Sequence, residues 1–141
     1  MKIACLTTSQ APANTANSIQ AFKACHALAQ GGAQVCLWVA APPSGASWDA
    51  LSAFYGLRTS FEVRWLPSRP GWRRYDLIFA GLWAARRWGA DALVTWLVQA
   101  AVLGSKLGLP VVYEMHDRPT GQFGAWWLRQ LARVQRPKRV L

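Results

Sequence analysis

The 141-residue chain carries sixteen Lys and Arg against six Asp and Glu, a formal net charge of +10, and 52% of its residues are hydrophobic. This length suits one domain around one core, and this hydrophobic share excludes a disordered chain. The positive field attracts anions (phosphate groups, anionic lipid, nucleic acid) without choosing among them.

Residues 2–7, KIACLT, are apolar enough to predict a buried strand. The stretch is too short for a signal-peptide core and lacks a cleavage site, so a cytoplasmic protein is expected. A polar, Pro-containing loop follows. Ile19, Phe22, Cys25, His26 and Ala29 recur at helical spacing and predict a helix over 18–30. Asn17 or Ser18 is the expected N-cap, because its side-chain oxygen can accept a free backbone N–H, and Gly31-Gly32 ends the helix. His26, four residues after Phe22 on the apolar face, reads as a core or boundary histidine. Residues 34–40, QVCLWVA, predict a second strand.

A short helix over 48–56 leads to a third strand over 61–67, placed nearer the sheet edge by its partial alternation. Residues 72–88 predict a longer helix, apolar in its middle and basic at both ends. Its apolar stretch is too short to span a bilayer, so any membrane contact is peripheral. A fourth strand over 91–96, a helix over 98–107 stopped by Gly108, a fifth strand over 111–115 and an amphipathic helix over about 123–134 complete the series. The tail QRPKRVL is basic. Cys5, Cys25 and Cys36 share no CxxC spacing and read as buried free thiols in a reducing compartment. With neither histidine spaced to them as a ligand, no metal site is expected.

Strand and helix thus alternate five times with short connections, and the strands KIACLT and QVCLWVA are apolar on both faces. That pattern predicts a doubly wound, Rossmann-like parallel α/β sheet in three layers. All strand C-termini then share one edge, where ligands bind near the reversal of strand order. Three loops converge there: residues 8–17, Thr95-Trp96 and 115–121. The first holds neither GxGxxG nor GxxxxGK[ST], which argues against a standard NAD or P-loop site. It offers Asn14, Thr15, Asn17 and Ser18 beside a helix N-terminus, groups suited to hydroxyls and anions. Thr95 joins them from the fourth strand. His116 can donate a proton or a hydrogen bond, with Glu114 or Asp117 orienting its ring.

Nine Trp is a high count, and several stand beside Arg, as in Trp72-Arg73-Arg74 and Arg86-Arg87-Trp88. The pairing suits a membrane interface or base stacking, and equally suits core Trp with solvated Arg. Charge alone supports nucleic-acid binding, and no nucleic-acid motif accompanies it.

Three stretches in order, TANSIQAFKACHALAQGGAQVCLW, YGLRTSFEVRWLP and WGADALVTWLVQAAVLGSKLGLPVVYEMHD, resemble the N-terminal domain of family-4 glycosyltransferases. The resemblance implies one of two Rossmann-like domains of a GT-B enzyme, the acceptor-side one. The companion domain would hold the nucleotide-sugar donor, a UDP- or GDP-sugar, and transfer would be metal-independent and retaining. By the same resemblance His116 faces the donor sugar and phosphate, and residues 13–18 lie near donor phosphates or acceptor. That loop lacks the glycines that often cradle a diphosphate in the family. Nothing here matches the acidic donor-binding pair, so a companion donor domain or separate subunit is the expected partner, and little activity is expected of this chain alone. Related enzymes act on lipid-linked acceptors, which gives Trp72, Arg73, Arg74, Arg86, Arg87 and Trp88 a use as a patch for an anionic membrane. The alternative is a basic α/β interaction module, binding nucleic acid or a membrane surface, without catalysis.

Overall fold

In the computed structural model, which describes residues 1–40, 46–72, 74–116, 123–135 and 137–141, the central strand explains the rest. β1 (Lys2–Gln10) is buried on both faces from Ile3 to Leu6. Its alternating side chains divide between two cores: Ile3 and Cys5 enter one, Ala4 and Leu6 the other. Five further strands flank it: β2 (Gln34–Ala40), β3 (Glu62–Leu66), β4 (Ala92–Thr95), β5 (Val111–Tyr113) and β6 (Lys138–Val140). Their order is β3-β2-β1-β4-β5-β6, and every pairing is parallel. The chain winds outward from β1 to β3, then crosses back to β4. Strand order therefore reverses between β1 and β4, where a crevice opens beyond the strand C-termini.

Helices α1 (Ala16–Gln30) and α2 (Trp48–Tyr55) cover one face. There Phe22, Cys25, Leu51 and Tyr55 pack on Ile3, Cys5, Leu37 and Val39. Helices α3 (Tyr75–Trp88), α4 (Val98–Lys106) and α5 (Gly124–Arg133) cover the other. The small residues of α3 and α4 have a packing reason. A Cβ on Gly81 would stand 2.6 Å from Leu6 Cδ1, and one on Gly104 would stand 2.6 Å from Leu93 Cδ2. Both helices approach the sheet too closely for a larger residue to fit without displacing a buried leucine.

The doubly wound sheet agrees with the alternation read from the sequence, and β3 is indeed an edge strand. The differences are local. β1 runs to Gln10, past a register shift against β2. The basic tail supplies β6, which pairs with β5 through Val112↔Arg139. α3 begins at Tyr75 because residues 70–72 form a 3-10 turn and Arg74 is left-handed, with φ 64°, a conformation an α-helix cannot run through. Ile19 lies off the buried stripe of α1, which consists of Ser18, Ala21, Phe22 and Cys25.

The three cysteines are free and buried. Burial pushes the thiols of Cys25 and Cys36 far up, so neither supplies a thiolate at neutral pH. His26 Nε2 accepts the backbone N–H groups of Arg58 and Thr59, at 3.0 and 3.1 Å, and so pins the turn after α2.

Candidate active site

The crevice edge is built from the end of β1, the first turns of α1 and the segments that follow β4 and β5. The β1–α1 loop is held by side chains. Tyr55 Oη accepts the N–H of Ala13 at 2.8 Å and lies 2.6 Å from Ser18 Oγ. Ser18 Oγ donates to the carbonyl of Gln10 at 3.0 Å, and Trp65 Nε1 donates to that of Ala11 at 3.1 Å. Three elements thereby fix a polar loop that has no glycine.

Four sequence-derived site residues change or refine their roles. The N-cap of α1 is Thr15, whose hydroxyl accepts the N–H of Ser18 at 3.3 Å, because the helix starts at Ala16, earlier than the apolar periodicity suggests. Asn17 therefore caps nothing and stands exposed beside Asn14 at the helix start. Ser18 is a correction. It is wholly buried and both its contacts are internal, so it shapes the loop and reaches no ligand. Thr95 is a second correction. Its buried hydroxyl donates to the carbonyl of Leu6 at 2.8 Å and accepts the N–H of Leu97 at 3.2 Å. It fastens β4 to β1 at the crevice and has no exposed atom to offer.

Glu114 gathers the site. Its Oε2 accepts the indole N–H of Trp96 at 2.7 Å, and its Oε1 accepts the amide of Gln20. Its backbone N–H donates to the carbonyl of Thr95 at 3.1 Å. The carboxylate thus ties α1 and the β4–α4 segment to the end of β5. His116 is exposed, with Nε2 4.0 Å from Glu114 Oε1, close enough for electrostatic orientation and too far for a direct hydrogen bond. Asp117, the other expected support, lies outside the described residues. The sequence places Trp96 at this edge within the Thr95-Trp96 segment, but picks out neither it nor Gln20 as a site residue. The available signal was Gln20's place as a neutral polar residue in the first turns of α1, at the ligand edge.

The proposed basic patch is rearranged. Arg74, exposed, donates from Nη1 to the carbonyl of Thr8 at 3.0 Å, at the crevice edge. Trp88 packs edge-on against buried Trp38, 5.8 Å between centroids, with Lys2 Nζ 5.4 Å from its own ring. Arg74 is exposed but tied to the end of β1, and Trp88 is half-buried against the core. Arg73 lies outside the described residues. Trp72, Arg86 and Arg87 are exposed, and between them α3 presents Phe79 and Trp83, 59% and 62% exposed. Arg87 lies over the Trp83 ring at 4.7 Å. A cavity of about 590 Å³ opens here, lined by Phe79, Leu82, Trp83, Arg86, Arg87 and Leu107.

Among the described residues no three His, Cys, Asp or Glu gather as a metal site, and no helix is long and apolar enough to cross a membrane.

No family model and no curated protein matches the chain. Solved structures do. MurG of Acinetobacter baumannii superposes over 99% of this chain with a TM-score of 0.57 and 14% identity. Alr3699/HepE of Anabaena, solved with UDP and glucose, superposes over 100% with a TM-score of 0.54 and 15% identity. A Gfo/Idh/MocA family oxidoreductase of Vibrio cholerae superposes over 99% with a TM-score of 0.50 and 14% identity. The chain spans under half of each: 45%, 44% and 38% of their lengths. At such identities the likeness is one of fold: a Rossmann-like domain of the kind found in the GT-B glycosyltransferases MurG and HepE.

Proposed function

We propose that this chain is the acceptor-side Rossmann half of a retaining, nucleotide-sugar-dependent glycosyltransferase that works with a donor-binding half. The observation that carries this reading is the Gln20–Glu114–Trp96 network, with His116 exposed beside it at the crevice of a GT-B-like sheet. A Rossmann oxidoreductase shares the fold, but the β1–α1 loop here lacks the glycines that let a dinucleotide pyrophosphate approach the backbone. Asn14 and Asn17 offer side-chain amides to hydroxyls. His116 would donate a hydrogen bond to a sugar or phosphate oxygen of a UDP- or GDP-sugar held chiefly by the companion half. Charge developing on the departing diphosphate is where such a donor accelerates transfer, and no metal is required of this half. The test is turnover of radiolabelled UDP- and GDP-hexoses by the native polypeptide or complex that carries this chain. Sugar transfer to a glycan or lipid-linked acceptor is expected. Failure to bind or turn over any sugar nucleotide would refute the reading.

An anionic membrane surface is the second proposed partner, through Arg86 and Arg87 of the sequence-derived patch together with Phe79 and Trp83. Phe79 and Trp83 lie one helical turn apart and face outward, with Arg86 and Arg87 beside them. Exposed aromatic rings flanked by guanidinium groups match the headgroup boundary. The protein is expected to pellet with phosphatidylglycerol liposomes at low salt. At roughly 1 kcal/mol per basic residue, replacing Arg86 and Arg87 together by Gln should weaken binding about 30-fold. Replacing Phe79 and Trp83 by Ser should reduce it further at high salt, where the charge contribution is screened. A wild-type chain that stays in the supernatant at low salt ends this proposal.

A further inference from the structure

A second cavity, of about 320 Å³, is lined by Tyr75, Phe123, Trp126 and Trp127. It lies between the first residue of α3 and the first turn of α5. Both helices follow strands, so their N-termini stand at the same edge of the sheet as His116. Trp126 and Trp127 meet edge to face, with centroids 4.8 Å apart and planes at 81°, and Tyr75 is tilted against Trp127 at 6.4 Å. Trp127 and Tyr75 rest on the core, whereas Phe123 and Trp126 are 52% and 43% exposed. The pocket thus has a fixed floor and an open aromatic wall.

We infer that this cavity binds a neutral pyranose ring of the acceptor, stacked on the aromatic wall. The inference rests on the glycosyltransferase reading for the word acceptor only; the chemistry of the pocket stands by itself. The described lining contains no Lys, Arg, Asp or Glu, so these four residues offer no charge to a diphosphate or a charged headgroup. Aromatic faces carry negative quadrupole density and attract the polarised C–H groups on one face of a sugar ring. The same four residues supply two indole N–H groups and a phenol hydroxyl, and among the described residues none of these has a hydrogen-bond partner. A ring with one apolar face and a rim of hydroxyls satisfies both features, which an aliphatic chain does not. The volume is of the order of a small-ligand pocket, a few hundred Å³.

The experiment is a titration of the whole chain with methyl pyranosides of glucose, galactose, mannose and N-acetylglucosamine, followed through the indole N–H signals by NMR. Saturable shifts of the Trp126 and Trp127 signals at millimolar concentration are expected with at least one of them. Trp126→Leu should weaken that binding about tenfold, a loss of ring stacking worth roughly 1.4 kcal/mol. Phe123→Leu, farther from the core, serves as the second variant if Trp126→Leu disturbs the backbone spectrum. No shift with any methyl pyranoside overturns the inference. So do shifts that persist undiminished in the variants, or a response to octyl glucoside without one to methyl glucoside, which would mark a lipid site. Pyranoside binding together with a native form inert toward sugar nucleotides would leave the pocket standing and remove the transferase reading.

Discussion

Phe22→Ala is expected to lower the unfolding free energy by about 3–5 kcal/mol, measured by urea denaturation. Phe22 is fully buried, stacked on Tyr55 at 4.0 Å with planes 11° apart and tilted against Phe61 at 6.0 Å. Truncation removes the transfer energy of the ring and leaves a cavity between α1, α2 and the sheet. A domain of this size has only about 5–15 kcal/mol to lose, so the change approaches unfolding at elevated temperature. The effect should also reach the crevice. Tyr55 carries the hydroxyl that holds Ala13 and Ser18, so losing its stacking partner should increase amide exchange in the β1–α1 loop. Ile19→Ala is the control. Helical spacing alone places both residues on one face, but Ile19 is 37% exposed, and its loss should cost less than about 1 kcal/mol. Equal costs for the two variants would show that the α1 face is packed differently.

That contrast marks how far the sequence could be read. Strands apolar on both faces identify themselves, so β1 and β2 and the parallel winding around them were legible. Phase along a helix was also legible, though less obvious. Ile78, Gly81, Leu82, Ala85 and Trp88 recur at three- and four-residue steps, which puts Trp88 with the buried stripe and Phe79 and Trp83 on the other side. Reading Trp88 by its Arg neighbours alone overlooks its packing on Trp38. The hydroxyls were harder. Asn14, Thr15, Ser18 and Thr95 look equivalent as polar residues near strand ends, and only three-dimensional neighbours reveal that Ser18 and Thr95 are internal braces. The start of α3 was hidden because nothing in Arg73-Arg74 announces a left-handed residue. The link from Gln20 to Glu114 crosses 94 positions and exists only because the β1–β4 reversal brings α1 beside β5.

His116→Ala, introduced into the native polypeptide or complex, is expected to reduce kcat by about 10²–10³, the usual loss when one preorganised hydrogen-bond donor is removed from a developing charge. KM should change little, because the interaction proposed for His116 strengthens only as charge appears on the leaving oxygen. Glu114→Gln tests the support behind it. The carboxylate accepts at both oxygens, from Trp96 and from Gln20, whereas an amide offers one acceptor and directs N–H groups at the other donor. One of the two donors must lose its partner, which should destabilise the fold by about 1–3 kcal/mol and loosen the segment that carries His116. Turnover should then fall less than in His116→Ala, and the double variant should be little worse than His116→Ala alone, since the carboxylate acts through the histidine. Independent, multiplicative losses would instead give Glu114 its own contact with substrate. Wild-type kcat in a folded His116→Ala enzyme would remove the histidine from the mechanism, and the network around Glu114 would then be a structural clasp between α1 and β5.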